Sequence, residues 1–142
     1  MAQAQAAYSI MIEPQVSLDT ADAKDLKIVH GDIEFRNISF AYEDGSAVFD
    51  DLSFKIKAGQ KVGIVGGSGV GKSTMISLLM KNFATQSGDI LVDGQSIYNV
   101  TANSLRTQIA YIPQDVMLFH RSVEENIAYA KDTYRQEEVI QA

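Results

Sequence analysis

The 142-residue chain contains no cysteine, which rules out a disulfide framework and thiolate metal sites and fits a reducing compartment. Arginine is scarce, at four residues, and the 12 Lys and Arg fall short of the 18 Asp and Glu, for a formal net charge of −6. Proteins that grip phosphate backbones concentrate the opposite charge, so nucleic acid is not an expected partner. Long apolar runs are missing too. None approaches the roughly 20 residues that cross a bilayer, and no signal-peptide pattern opens the chain, so this polypeptide is expected to be soluble. His30 and His120 stand alone, one before an expected strand and one in a loop, and read as surface residues rather than metal ligands. What remains is a globular composition, 46% hydrophobic and about one domain long.

Against that background one octapeptide carries chemistry. Residues 66 to 73 read Gly-Gly-Ser-Gly-Val-Gly-Lys-Ser, a complete G-x-x-x-x-G-K-[ST] loop. A polyphosphate needs several donors converging on clustered negative charge, with no side chain in the way of the backbone. Gly66, Gly67, Gly69 and Gly71 permit that approach and the turn that points successive N–H groups inward, at the positive end of a helix. Lys72 then reaches the β- and γ-phosphates, and the Ser73 hydroxyl ligates Mg²⁺. The flanks are of the required type: Gln60–Val65 reads as a short buried strand. Lys72–Lys81 reads as a helix burying Met75, Ile76, Leu79 and Met80. An ordinary glycine turn would not explain that order of strand, loop and helix, and a nucleoside triphosphate is the expected ligand.

The rest of the chain supplies the frame. Ala2–Ile12 reads as a helical lead-in stopped before Pro14. Glu13–Lys27 reads as an acidic linker in which Asp19, Asp22 and Asp25 are solvated charges. From Gly31 the pattern alternates, with Ile33, Phe35, Ile38 and Phe40, then a Glu43-Asp44-Gly45-Ser46 turn, then Leu52, Phe54 and Ile56, which predicts an antiparallel hairpin. Beyond the loop helix, Ser87-Gly88 predicts a turn, Asp89–Val92 a strand, Asp93-Gly94 a turn and Ile109–Ile112 a strand ended by Pro113. Thr101 or Asn103 caps a short helix through Gln108, Ser122 with Glu125 makes a capping box for a helix through Ala130, and a last helix starts at Glu137.

Taken together, these residues resemble the nucleotide-binding domain of ATP-binding cassette (ABC) transporters, of the exporter type fused behind membrane helices. Besides the phosphate loop, three segments carry the resemblance: Asn37–Tyr42, Ser87–Gly94, and Ser104–Asp115 with Leu118-Phe119 and Glu125-Asn126-Ile127. The implied fold is α/β, a P-loop NTPase (ABC ATPase) core fragment with an N-terminal antiparallel β-subdomain and without the C-terminal half of the domain. Residues 1–30 then correspond to the end of the last membrane helix and the linker, and residues 31–142 to the N-terminal portion of the domain. The resemblance assigns Tyr42 to stacking on adenine, and Gly67, Ser68, Gly69, Val70, Gly71, Lys72, Ser73 and Thr74 to the phosphates of ATP. Ser73 and Gln114 hold Mg²⁺, and Lys72 and Gln114 are the residues of this chain that serve catalysis. Asp93 is better read as a turn residue than as a metal-binding carboxylate.

The implied partners are ATP, the parent's transmembrane domain and a second nucleotide-binding domain in a homodimer or heterodimer, with the parent in a membrane and this domain on its cytoplasmic side. The sequence contains no Leu-Ser-Gly-Gly-Gln signature, no strand ending in Asp-Glu and no switch histidine, all of which the family places beyond the position of Ala142. Binding without appreciable hydrolysis is therefore expected, because phosphoryl transfer depends on such positioned groups. Loss of neighbours for Gln60–Val65 implies an edge prone to self-association, domain exchange or partial disorder after Asn126. A GTPase or small-molecule kinase fits less well, since neither Asn-Lys-x-Asp nor Asp-x-x-Gly occurs and the arginines are scattered. Two further alternatives are a vestigial, non-enzymatic interaction fragment and a soluble P-loop NTPase outside transport.

Overall fold

The structure, a computed structural model, describes residues 18–114, 118–129, 131 and 133–142. The expected lead-in helix at residues 2–12, Asp115 and Ala130 lie outside them. The chain divides into two compact units, residues 1–110 and 111–142.

The first unit is built on a four-stranded sheet of order β2-β1-β3-β4, antiparallel throughout: β1 (Ile33–Ala41), β2 (Ala47–Ile56), β3 (Ser87–Val92) and β4 (Gln95–Ser96). The expected hairpin is β1 with β2, closed by a turn in which the Gly45 N–H donates to Tyr42 O and the Tyr42 N–H to Ser46 O. The alternation slips between Phe35 and Ile38, and the ladder slips there too. Asn37 (φ 50°) and Asp51 (φ 58°) face each other across this irregularity, with Asn37 Nδ2 donating to Asp51 Oδ1 at 2.6 Å. An inserted residue of this kind restores the apolar face that a strict period of two would have turned outward.

The core lies under this sheet. Phe35, Ile38, Phe40, Ile90 and Val92 from the strands pack with Leu78 and Leu79 of α1 (Lys72–Leu79), with Ile97 and Val100, and with Leu105 of α2 (Ala102–Thr107). Helix α1 buries Thr74, Leu78 and Leu79; Met75, Ile76 and Met80 are half-buried, a rotation of about one residue from the expected face. Of the two cap candidates in the sequence, Thr101 and Asn103, it is Thr101 that caps α2, its hydroxyl accepting from the Ser104 N–H.

Two expected strands are not strands here. Residues 60–65 and 109–112 carry no ladder, and Val65 and Ile112 are 92% and 84% exposed. Both segments have the apolar run of a strand flanked on two sides, and a strand exists only where a neighbour takes its hydrogen bonds. Ser87-Gly88, expected as a turn, instead opens β3.

The lead-in from Leu18 is tied to the first unit rather than solvated throughout. Leu26 is in the core, its N–H donating to Ser104 Oγ and its carbonyl accepting from Gln108 Nε2. Asp19 is not a solvated charge: its Oδ1 accepts from Lys81 Nζ at 2.8 Å and from the Ala102 N–H at 2.9 Å. Lys81 is 2% exposed and also donates to Val100 O, so its charge is buried, paired and hydrogen-bonded.

In the second unit, α3 (Val123–Ile127) opens with the expected capping box of Ser122 and Glu125. Asn126 stitches the preceding loop, accepting from the Phe119 N–H and donating to the carbonyls of Phe119, Arg121 and Ser122. Helix α4 (Gln136–Gln141) follows.

Candidate functional site

The loop from Gly66 to Gly71 is exposed along its length up to Gly71, which is buried and caps α1 in the left-handed region at φ 96°. A Cβ at Gly71 would come within 2.6 Å of Val48 Cγ1 and 2.8 Å of the Phe49 ring, so the position demands glycine on two counts. The first α-helical bond runs from the Met75 N–H to Gly71 O, which leaves the N–H groups of Lys72, Ser73 and Thr74 at the free, positive end of the helix. Lys72 folds over the loop, Nζ donating to Gly66 O at 2.9 Å and to Gly67 O at 2.5 Å. Ser73 is exposed at the same end. An ammonium, a hydroxyl and free N–H groups gathered around an open glycine loop fit a polyphosphate, whose charge density would outcompete two carbonyls for the lysine.

Tyr42 stands directly after β1, and the structure brings it to this helix. Its hydroxyl and Thr74 Oγ1 are 2.7 Å apart. Its ring meets Phe40 edge to face at 5.1 Å and Phe83 edge to face at 5.7 Å. Thr74 is buried and its hydroxyl is engaged by Tyr42, so its backbone N–H is the group it presents to the loop. Beside Tyr42 runs a groove of about 590 Å³ lined by Phe40, Ala41, Glu43, Asp44, Phe83 and Ala84. Gln114 is exposed and belongs to the second unit.

A model of the ABC transporter family matches residues 49–142. The chain belongs to this family. Among ABC transporter relatives, the beta-(1→2)glucan export ATP-binding/permease protein NdvA of Agrobacterium fabrum is 44% identical over 124 residues, 87% of this chain and 21% of the relative. The mitochondrial iron-sulfur clusters transporter atm1 of Neurospora crassa is 46% identical over 122 residues, 85% of this chain and 17% of the relative. The solved structure of a bacterial Atm1-family ABC exporter with ATP bound aligns with TM-score 0.83 at 36% identity, over 94% of this chain and 24% of that one. The chain thus corresponds to the N-terminal part of the ABC transporter ATP-binding domain, and spans about a fifth of the length of the relatives it matches. Among the described residues no helix is long and apolar enough to cross a membrane.

Three residues escape a reading of the sequence. Phe83, in the turn after α1, gives no periodic or motif signal, yet packs on Tyr42. Lys81 reads as a helix-end charge and is buried. Asp93 is a turn residue, as its Asp-Gly pair predicts, but its carboxylate does more: Oδ2 accepts from the N–H groups of Val29 and His30, and Oδ1 from those of Gly31 and Asp32, all at 2.6 to 2.8 Å. The His30 and Val29 donors, with those of Asp32 and Gly31, hold its pKa down at about 2.

Proposed function

We propose that this chain is the MgATP-binding portion of an ABC exporter ATPase domain, and the observation that carries the proposal is the Lys72 ammonium poised over the glycine loop at the free end of α1. In this reading the N–H groups of Gly67 to Thr74 and the Lys72 ammonium hold the phosphates, and Ser73 offers its hydroxyl to Mg²⁺. Gln114 enters as an amide ligand to Mg²⁺ and as a catalytic residue through the family pattern. Bound Mg²⁺ would neutralise phosphate charge that Lys72 alone does not balance. Tyr42, already oriented by Thr74 and two rings, stacks on the base.

For the whole protein we propose that ATP hydrolysis drives export across a membrane, with this domain on the cytoplasmic side, attached to a transmembrane domain through residues 1–30 and paired with a second nucleotide-binding domain. The relatives' names, which join ATP binding to export and permease, support that reading.

The test is thermal unfolding of the 142-residue chain with MgATP. At ligand a hundredfold above Kd, binding to the folded state alone stabilises by about 2.7 kcal/mol. Lys72→Ala should remove that stabilisation, and wild-type chain at saturating MgATP should release phosphate no faster than buffer. A Tm indifferent to MgATP would instead support a vestigial interaction fragment.

A further inference from the structure

We infer that Phe83 is a positioning residue for the nucleobase, forming with Tyr42 a two-walled aromatic corner that receives the base. The inference deepens the nucleotide reading above and rests on it.

The corner is visible in the geometry. The two rings stand at 89° to each other, 5.7 Å between centroids, and both line the groove of about 590 Å³. Tyr42 is 38% exposed and Phe83 40%, whereas Phe40, the other ring against Tyr42, is 5% exposed and belongs to the core. Phe83 is therefore the neighbour that both holds Tyr42 and can reach a ligand. A planar base stacked parallel to the Tyr42 ring stands nearly perpendicular to the Phe83 ring. Aromatic rings carry negative faces and positive edges, so an edge against a face is a favoured arrangement.

Charge decides which end of the ligand enters. The groove is flanked by Glu43 and Asp44, and Asp44 is held ionised by the Ser46 hydroxyl and N–H, which lower its pKa. These carboxylates repel phosphates and tolerate an uncharged base, while the cation, Lys72, stands at the loop. Helix α1 joins the two places: it starts at the phosphate loop, and Phe83 lies in the turn that follows it, so its eight residues, about 12 Å of helix, set their spacing. Phe83 has no polar atom, and the Tyr42 hydroxyl is engaged by Thr74. The corner thus recognises a flat aromatic ring by contact rather than by hydrogen bonding.

Calorimetric titration of the full chain with MgATP and, separately, with inorganic tripolyphosphate and Mg²⁺ separates the base from the phosphates. Phe83→Ala should weaken MgATP binding by about three- to tenfold, within the roughly two- to twelvefold that loss of an aromatic contact gives, and leave tripolyphosphate within about twofold. Phe83→Leu, which keeps apolar bulk in case the alanine variant folds poorly, should show the same selective loss, and Phe83→Tyr should restore binding. Equal loss for both ligands, or no loss, overturns the inference. Wild-type chain that binds tripolyphosphate as tightly as MgATP also overturns it while leaving the phosphate site standing; binding of neither ligand removes the nucleotide reading and this inference together.

Discussion

At the scale of single residues, Asp93 ties the start of β1 to the turn after β3. Four N–H groups from residues 29–32 converge on one carboxylate, and its backbone adopts φ 48°, which aspartate tolerates better than most residues. The Asp93 N–H in turn donates to Asp32 O, so the start of β1 and the turn after β3 are locked from both sides. Since the folded-state pKa lies at about 2, below the ordinary carboxylate value, the ionised form is favoured by folding. Its contribution is complete above about pH 4 and disappears as pH falls through about 2. Asp93→Asn should therefore lower the urea midpoint at neutral pH and flatten the part of the acid profile between those limits. An unchanged midpoint at pH 7 would show that the four donors are equally well served by water. The sequence announced the turn at Asp93-Gly94, since that pair is a local signal. It could not announce the four donors, because they come from some sixty residues away.

At the scale of elements, the irregular pairing of β1 explains why the second residue of β3 is a glycine. Gly88 has φ 86°, and a Cβ there would lie 2.3 Å from Arg36 O and 2.4 Å from Asn37 O, backbone atoms of the irregular stretch of β1. Gly88→Ala combines left-handed strain with a collision that no side-chain rotation relieves. It should destabilise the first unit by roughly 2 kcal/mol or more, seen as a lower urea midpoint at unchanged slope. A midpoint within error of wild type would mean that β1 and β3 separate at no cost. The alternation of Ile33, Phe35, Ile38 and Phe40 already contains the slip in its spacing, and the capping box of Ser122 and Glu125 is a local pattern, so these elements were legible; between Thr101 and Asn103 the fold chose the cap of α2. The helix face was less so. Apolar positions at Met75, Ile76 and Met80 suggested one buried stripe, but burial followed the sheet, which takes Thr74 and Leu78, while Lys81 finds Asp19 and Val100 O.

Over the whole molecule, the expected strand that leads into the phosphate loop, residues 60–65, is left without a ladder. Val62, Ile64 and Val65 are 53%, 41% and 92% exposed, a run of apolar surface outside any ladder that leads into the loop. Such a run pairs with another chain when nothing else covers it. The 142-residue chain should sediment with increasing mass as concentration rises, and Val65→Lys should shift it toward the monomer. A compact wild-type monomer at high concentration would contradict this. The phosphate loop, the hairpin, the Ser122–Glu125 capping box and the family were determined by the sequence alone, because each rests on neighbours within a few residues or on a motif whose chemistry permits few substitutes. Only the tertiary structure decided that 60–65 and 109–112 stay unpaired, that Asp19 and Lys81 form a buried pair, and that Phe83 walls the groove beside Tyr42. The physical reason is shared by all three: a ladder, a buried charge pair and a ring contact each need a partner supplied from far along the chain, and no local pattern encodes which partner arrives.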